Sequence, residues 1–173
     1  FLISNNIIND NWNAMNILSN NASTVGSYNL GIFSSDDGKN LALEKIINNK
    51  CDVIFLFGQD DLKFNKKKEF IVYIGSHGDR GAEMADIILP GSAYTEQDGY
   101  FTNLEGVLQK AYKASYPPGQ AKEDWLIINE LSAYLKRNKL YSNKEELISS
   151  MLNHLKINKK NNLFKLTDYG IFD

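Results

Sequence analysis

Three short apolar runs constrain the fold more than any other feature of the sequence. They are VIFLFG at Val53 to Gly58, FIVYIG at Phe70 to Gly75 and DIILP at Asp86 to Pro90. Each run has the length of a strand, each is continuous rather than alternating, and each ends in glycine or proline. Such runs are typical of strands that are buried on both faces of a parallel sheet. The segment between the first two runs is basic, and GAEMAD between the last two is long enough for one helical turn. This order predicts an α/β fold with an open, mainly parallel sheet and flanking helices.

Two helices are predicted ahead of the first run. Trp12, Met15 and Leu18 recur at a spacing of three within residues 10–21, and Asp10 is suited to cap that helix. Residues 25–33 contain glycine and show no period, so they are predicted to form a loop. A turn at 34–38 then leads to a second helix with one apolar stripe, which consists of Ala42, Leu43, Ile46 and Ile47.

Long loops and C-terminal helices are predicted after the third run. Residues 91–116 mix glycine and aromatic side chains without a period, which predicts mostly loop. A helix is predicted over 123–136, and its expected buried stripe is Trp125, Ile128, Leu131 and Leu135. Ser142 and Glu145 form a capping box for a last helix, whose expected buried face is Leu147, Ile148, Met151, Leu152 and Leu155. We therefore assign residues 1–157 to one α/β domain and residues 158–173 to a tail that docks on a neighbour.

Composition excludes several kinds of partner and site. A formal net charge of -2 gives no electrostatic reason to expect nucleic acid, and Lys66 to Lys68 are interpreted as a solvated loop. No apolar run approaches the roughly 20 residues of a membrane span, so no direct membrane insertion is expected. The single cysteine, Cys51, cannot hold a multi-cysteine iron–sulfur cluster, a structural zinc or an internal disulfide. The first residue, Phe1, is not methionine, which indicates a processed chain, a fragment or an interior starting point.

The segment after the second run has the composition of a ligand site. Gly75, His77, Gly78 and Asp79 follow a buried strand, at the edge where open α/β sheets bind ligands. One interpretation is a His–Asp acid/base pair or a phosphate-cradling turn that uses these glycines and Gly81. The other is a tight loop in which the glycines permit positive φ and Asp79 caps the next turn. The spacing favours the tight loop, because glycine and aspartate are the usual turn residues and no dinucleotide or Walker fingerprint is present.

Other residues that could carry chemistry favour structural roles. Glu83, Asp86, Glu96 and Asp98 are candidate paired carboxylates, but their separation along the chain makes solvation or capping the better interpretation. Cys51 has no histidine near it in sequence to act as a base, so we interpret it as an inert thiol. The two tryptophans, Trp12 and Trp125, lie on apolar stripes and are interpreted as core residues. The residues alone thus indicate a domain without a self-sufficient active site, which belongs to something larger.

Residues 75–109, GSHGDRGAEMADIILPGSAYTEQDGYFTNLEGVLQ, resemble the large iron–sulfur subunit of respiratory complex I, NADH:ubiquinone oxidoreductase. The matching motifs are GxHGD, GA, ADxILPG, AYTE and NxEGxxQ. The resemblance continues at PPGQAKEDW, and upstream at WNAMNIL and VIFLFG, so that it covers roughly residues 12–135. The chain departs from the family pattern at two places. Val107 replaces the arginine usual after NxEG, and a glycine and two aromatics at 98–101 replace a glycine–threonine pair.

The resemblance implies a molybdopterin oxidoreductase-like fold whose pterin cofactor has been lost in complex I. It implies no catalytic residue, no metal and no cofactor in this chain, while iron–sulfur clusters and FMN would lie elsewhere in the complex. The chain would be a structural module that supports the cluster-bearing N-terminal half of the same subunit and contacts other complex I subunits. Aromatic residues such as Tyr94, Tyr100, Phe101 and Tyr112 suit such contacts. Gly75, His77, Gly78 and Asp79 would be a vestigial pterin-site loop.

The resemblance also implies a location and an alternative. The chain would lie on the matrix side of the mitochondrial inner membrane, in the peripheral arm, or on the cytoplasmic face of a bacterial plasma membrane. Heavy use of asparagine, lysine and isoleucine is compatible with an AT-rich organelle or endosymbiont genome. The alternative is a fragment of an active molybdenum or tungsten oxidoreductase, such as a formate dehydrogenase relative, in which Gly75, His77 and Asp79 would help to hold the pterin. A free-standing nucleotide-binding domain is disfavoured by the missing phosphate fingerprint.

Overall fold

The computed structural model of the chain describes residues 3–6, 8–9, 12–13, 18, 21–32, 35–36, 39–48, 50–62, 64–104 and 106–160. The elements in chain order are β1 (Ile8–Asn9), β2 (Trp12–Asn13), α1 (Thr24–Leu30), β3 (Ser35–Asp36), β4 (Lys39–Asn40), α2 (Leu41–Ile47), β5 (Val53–Phe57), β6 (Phe70–Gly75), α3 (Arg80–Met84), β7 (Ile87–Pro90), β8 (Gly99–Thr102), β9 (Leu108–Ala111), α4 (Asp124–Tyr134) and α5 (Lys144–Lys160). The chain divides into two compact units. The first unit comprises residues 1–33, 100–111 and 143–173. The second unit comprises residues 34–99 and 112–142.

The three apolar runs form one parallel sheet in the second unit, in the order β5-β6-β7. Val53 pairs with Phe70 at the start of β5, and Val72 pairs with Ile87 at the start of β7. Helix α3 lies between β6 and β7, so this half of the sheet is a βαβ unit. The described residues between β5 and β6 contain no helix. The predicted α/β fold with a parallel sheet is therefore confirmed.

The two faces of the sheet carry separate apolar clusters. On one face Ile54, Leu56, Phe64, Ile71 and Tyr73 are buried together, and residues of α2 and α3 pack against them. The other face, which we call the α4 face, consists of Val53, Phe55, Phe57, Phe70, Val72, Ile74, Ile87 and Leu89, because side chains alternate along each strand. Ile127 of α4 covers only the part of this face that Val72, Ile74 and Leu89 provide.

Burial on both faces holds only for the central strand. β6 buries four residues in succession, Ile71 to Ile74, whereas β5 alternates between buried and exposed residues. In β7 every residue except Leu89 is exposed. The prediction of two-sided burial is therefore wrong for β5 and β7. Both are edge strands of the described sheet, and helix α4 reaches across β6 and the end of β7 but leaves β5 bare.

The predictions for the first fifty residues are partly wrong. Helix α2 is confirmed at 41–47, and Ile46 of its predicted stripe packs on the sheet, but Ile47 is exposed. Residues 25–33 are predicted to be loop, but most of them belong to α1, which ends at Gly31 with a left-handed φ of 74°. The helix predicted over 10–21 is wrong at Trp12–Asn13, which pair antiparallel with Ile8–Asn9. Residues 10, 11, 14–17, 19 and 20 lie outside the described residues.

The later helices are confirmed in position but not in every detail. Helix α4 lies within the predicted range, yet its buried residues are Ile127 and Asn129, while Ile128 and Leu135 are exposed. The predicted buried stripe is thus wrong. Ile127 is buried because it packs against β6, and Asn129 is buried because its side chain forms hydrogen bonds with the backbone of residues 140–141. Helix α5 begins at Lys144, close to the predicted start. Its capping side chain is Asn143, whose Oδ1 accepts from the Glu146 N–H at 2.8 Å.

Most of the described residues of 91–116 are loop, as predicted, but the segment also contains two short paired strands, β8 and β9, which the sequence did not predict. Further along the chain, the predicted face of α5 is half-buried, from Leu147 to Leu155. Among the described residues, no helix has both the length and the apolar character needed to cross a membrane. The division at residue 157 stays a prediction, because residues 161–173 lie outside the described part of the chain.

Candidate functional site

The predicted site residues lie at the carboxyl ends of β6 and β7. Gly75 ends β6, residues 76–79 turn away from the sheet, and α3 begins at Arg80. An open cavity of about 540 Å³ lies at this edge, and it is lined by Gly75, Ser76, His77, Pro90, Gly91, Ala93, Tyr94, Thr95, Glu96, Pro118, Gln120 and Ala121. Ligands of open α/β proteins usually bind at this position, beyond the carboxyl ends of the strands. The cavity includes Gly75 and His77, whereas Gly78 and Asp79 do not line it.

A buried tyrosine and an aspartate hold this loop. The Tyr73 hydroxyl donates to Oδ2 of Asp60 at 3.0 Å and lies 2.9 Å from the carbonyl oxygen of His77. The other carboxylate oxygen of Asp60 accepts from the Gly81 N–H at 3.1 Å. Burial, and then the hydrogen bond to Asp60, raise the pKa of Tyr73 to about 12. The hydroxyl therefore stays protonated near neutral pH and acts as a donor that fixes the loop.

Asp79 does not have the capping role that the sequence suggests. It occupies the N-cap position of α3, but its side chain makes no capping hydrogen bond. The carboxylate that binds an N-terminal amide of this helix comes from Asp60, 21 residues before Gly81. His77 is exposed, and its Nδ1 lies 2.9 Å from Oγ of Ser76. In the described structure His77 and Asp79 form no hydrogen bond or ion pair with each other, so the predicted acid/base pair is not brought together.

Close packing, rather than unusual backbone conformation, explains two of the three glycines in this region, Gly75 and Gly81. A Cβ atom on Gly81 would lie 2.6 Å from the carbonyl oxygen of Gln59 and 2.7 Å from the Tyr73 ring. A Cβ atom on Gly75 would lie 2.6 Å from Cζ of the same tyrosine, whereas Gly78 has open space around it. None of the three has positive φ, so that part of the tight-loop interpretation is wrong. Gly75 and Gly81 are needed so that the backbone can pass against Tyr73.

A phosphate-cradling turn is disfavoured by the charge at the start of α3. Helix N-termini bind anions through free amides, but here the Gly81 amide already donates to the Asp60 carboxylate. An incoming phosphate would meet a negative charge instead of a free donor. Helix α3 also has only five residues, so its dipole is small. The geometry therefore disfavours an anion at the Gly81 amide.

An aspartate that the sequence did not indicate, Asp124, lies against Gly91, which lines the cavity. The Gly91 N–H donates to the carbonyl oxygen of Gly75 at 3.0 Å, which joins β7 to β6 beyond the last strand pair. A Cβ atom on Gly91 would lie 2.8 Å from Oδ1 of Asp124. Burial, and then the negative charge of Glu123, raise the pKa of Asp124. The neighbouring Ser92 Oγ is buried and has no hydrogen-bond partner in the described structure.

The four candidate carboxylates are not paired with one another. Asp86 forms an ion pair with Lys66 at 2.6 Å and accepts from the Ile71 N–H at 2.8 Å, and the bond to Lys66 is the main cause of its lowered pKa. Oε2 of Glu96 accepts from the Ala93 N–H. Oδ1 of Asp98 accepts from the Lys113 N–H, and Glu83 is exposed on α3. Among the described residues, no group of three or more His, Cys, Asp or Glu side chains could hold a metal ion.

The remaining candidates have structural environments. Cys51 is half-buried against the cluster around Ile71. The Trp125 Nε1–H donates to Oε2 of Glu123 at 2.9 Å, and the indole is partly buried. The side chain of Trp12 lies outside the described residues. Tyr94 and Tyr112 are largely exposed, whereas Tyr100 and Phe101 are half-buried, and the contact of these aromatics with a neighbour stays a prediction.

Comparison with known proteins identifies relatives of most of the chain. The family model of the molybdopterin oxidoreductases matches residues 1–134. The chain is similar to the NADH-ubiquinone oxidoreductase 75 kDa subunit of Reclinomonas americana, with 46% identity over 140 residues, or 79% of this chain and 20% of that protein. It is also similar to a subunit of the NADH-quinone oxidoreductase of Rickettsia bellii, with 50% identity over 143 residues, or 82% of this chain and 20% of that protein.

A mitochondrial relative from a fungus agrees with these two. The NADH-ubiquinone oxidoreductase 78 kDa subunit of Candida albicans is 45% identical over 126 residues, which are 72% of this chain and 16% of that protein. The resemblance inferred from residues 75–109 is therefore confirmed. The chain spans about a fifth of the length of the curated relatives it matches.

Proposed function

The chain belongs to the molybdopterin oxidoreductase family, and we propose that it is a non-catalytic structural module of the proton-pumping NADH:quinone oxidoreductase, respiratory complex I. The names of its relatives support the assignment to this complex, since the relatives are subunits of NADH-quinone or NADH-ubiquinone oxidoreductases. The module would brace the cluster-bearing part of that subunit within the peripheral arm. We place it on the matrix side of the mitochondrial inner membrane, with the cytoplasmic face of a bacterial membrane as the alternative.

The observation that carries this proposal is the Asp60–Tyr73 contact at the sheet edge. The family's cofactor is an anionic pterin with phosphate groups, which protein sites hold with amides and cationic side chains. At this edge the Gly81 amide is bound to Asp60, and the carboxylate of Glu96 lines the cavity. Neither lysine nor arginine is among the described residues that line the cavity. These residues do not fit a phosphate-bearing pterin, which supports the absence of cofactor and of catalysis in this chain.

Elemental analysis of the purified assembly tests the proposal directly. We expect no stoichiometric molybdenum or tungsten, and we expect NADH:quinone oxidoreductase subunits to co-purify with the chain. Stoichiometric molybdenum or tungsten would instead establish the alternative, a fragment of an active pterin oxidoreductase. Failure of the expected subunits to co-purify would refute the assignment to complex I.

A substitution at the exposed loop histidine gives an independent test. We expect His77→Ala to leave NADH:quinone electron transfer by the assembled complex unchanged, because the His77 ring contacts a surface serine, Ser76, and carries no catalytic step. The measurement is the turnover rate of assembled complex, normalised to its content of this chain. Loss of turnover in fully assembled complex would show that the loop is not vestigial.

A further inference from the structure

The cavity at the carboxyl edge of the sheet contains a carboxylate in a fixed position, that of Glu96. Two reciprocal hydrogen bonds close a turn: the Glu96 N–H donates to the Ala93 carbonyl oxygen at 2.9 Å, and the Ala93 N–H donates to Oε2 of Glu96 at 2.9 Å. Within this turn, the Thr95 carbonyl oxygen accepts from the N–H groups of Ala114 and Ser115 at 2.8 and 3.1 Å. The carboxylate is therefore held in place before a partner arrives, which reduces the entropy that binding costs.

No cation balances the charge of Glu96 in the part of the chain that the structure describes. The ion pairs of the described residues lie elsewhere, at Asp86 and at Glu130. The described lining of the cavity includes neither lysine nor arginine. Asp124 lies against Gly91 and adds a second acid close to the cavity. Acids of one sign that surround a concave surface focus a negative potential there, so the cavity favours a positively charged ligand.

The other lining residues indicate which cation fits best. Tyr94 lines the cavity with 75% of its surface exposed, and a tyrosine ring attracts a cation that lies over its face. Thr95 and Gln120 add oxygen atoms that can accept hydrogen bonds. A guanidinium group is planar, has five N–H donors and stacks on aromatic rings, so it can use all of these groups at once, whereas the ammonium of lysine is a compact charge. A volume of about 540 Å³ also has room for part of the segment that carries the arginine.

We propose that this cavity binds an arginine side chain, presented by a segment of the complex I assembly that lies outside the 173 residues of the chain. The guanidinium would pair with Oε1 of Glu96, while Oε2 keeps its bond to the Ala93 N–H, and would stack on Tyr94. The edge would then select for a charge opposite to that of the family's cofactor. The source of the segment rests on the proposed function, whereas the cationic nature of the ligand rests on the lining of the cavity.

Site-specific photocrosslinking in the assembled complex tests this proposal. A p-benzoylphenylalanine replaces Gln120, which is exposed and lines the cavity, in one variant and Tyr134, which is 85% exposed on α4, in the control. We expect position 120 to crosslink beside an arginine in a segment from outside this chain, and the control to give no such product. A crosslink to a segment without arginine, to a second copy of this chain or to residues 161–173, or no crosslink in complex that contains the chain, would each overturn the proposal.

A neutral side chain of the same shape at position 96 gives a second, quantitative measurement. Glu96→Gln keeps an oxygen that accepts from the Ala93 N–H but removes the charge. We expect the yield of the crosslink beside the arginine to fall at least about fivefold, because the guanidinium loses its charge-assisted bond. Glu83→Gln removes an exposed charge of α3 that does not line the cavity, so it should leave the yield unchanged. An unchanged yield in Glu96→Gln would show that this carboxylate does not bind the arginine.

Two further measurements separate binding from folding and from the choice of assembly. Glu96→Gln should unfold at the same temperature as the unsubstituted chain, so that a lower yield reports binding. Replacement of the crosslinked arginine by glutamine should lower the yield to the same extent as Glu96→Gln and add nothing in combination with it. Independent effects of the two substitutions would mean that the two groups do not meet. Such a failure leaves the proposed function intact if complex I subunits still co-purify, whereas their absence from the unsubstituted assembly refutes the proposed function instead.

Discussion

Removal of one oxygen atom, by Tyr73→Phe, should test how the loop at the sheet edge is held. The Tyr73 hydroxyl is buried and bonded to the Asp60 carboxylate at 3.0 Å, with the His77 carbonyl oxygen 2.9 Å away. A hydrogen bond to a charged group contributes about 1.5–3 kcal/mol to stability. Asp60 keeps its bond to the Gly81 amide after the substitution, so we expect the free energy of unfolding to fall by about 2 kcal/mol.

The same substitution should alter the response to alkaline pH. The pKa of Tyr73 is raised from 10.0 to about 12 in the folded chain, so folding favours the protonated hydroxyl. The stability that this preference contributes is fully present below pH 10 and is lost as the pH rises towards 12. Tyr73→Phe should lack this component of the alkaline loss. The other tyrosines and the lysines titrate in both proteins, so their contribution cancels when the two curves are subtracted.

Urea unfolding followed by circular dichroism, repeated from about pH 7 to the onset of hydroxyl ionisation near pH 12, measures both effects. Tyr134→Phe is the control, because Tyr134 is 85% exposed and its substitution should change stability by less than about 0.5 kcal/mol. If Tyr73→Phe is as stable as the control at neutral pH, the hydroxyl contributes nothing to the fold. If its alkaline loss equals that of the unsubstituted chain, the raised pKa is wrong.

Three further substitutions probe the rest of the second unit, each by urea or thermal unfolding. Gly81→Ala should cost about 1–3 kcal/mol, because its Cβ atom would overlap the Gln59 carbonyl oxygen, whereas Gly78→Ala has open space and should be near neutral; equal effects would contradict the close packing. Asn129→Ala should cost about 2–3 kcal/mol, since the buried amide accepts from two backbone N–H groups after α4 and donates to one carbonyl; a cost below about 0.5 kcal/mol would show that water replaces it. Asp86→Leu should lower the thermal midpoint at neutral pH, and the difference should shrink as the pH falls below 3.8, because the lowered pKa means that the stabilising carboxylate is lost there; an unchanged difference in acid would contradict this.

The sheet could be predicted from the sequence because its signal is local. VIFLFG, FIVYIG and DIILP are continuous apolar runs with clear stops, and each forms a strand of the expected length. The regions where prediction failed lack such a signal. Gly26 gives the sequence of α1 the appearance of a loop. The strands β8 and β9 have four residues each, which is too short to show an alternation of apolar and polar residues. The burial of β5 and of α4 depends on which elements lie above them, and no local pattern specifies that.

The position of the candidate site was predictable, but the residues that shape it were not. The carboxyl edge of a parallel sheet and the glycine-rich segment point to Gly75 and His77. Tyr73 lies inside an apolar run, and Asp60 lies in a polar segment, so neither stands out in the sequence. Their contact joins residues 13 positions apart and exists only because β5 and β6 lie side by side. Tertiary hydrogen bonds of this kind leave no periodicity in the sequence.

The distant cap of α3 has a consequence for the order of folding. A helix of five residues cannot persist alone, because nucleation costs more than so few backbone hydrogen bonds return. Its cap, Asp60, follows β5, whereas its first residues follow β6, so the helix can be completed only after these two strands have paired. We therefore expect the Gly81 amide to gain protection from hydrogen exchange in the same kinetic phase as the β6 amides, and no earlier. Protection of the Gly81 amide in α3 would then report the pairing of β5 with β6.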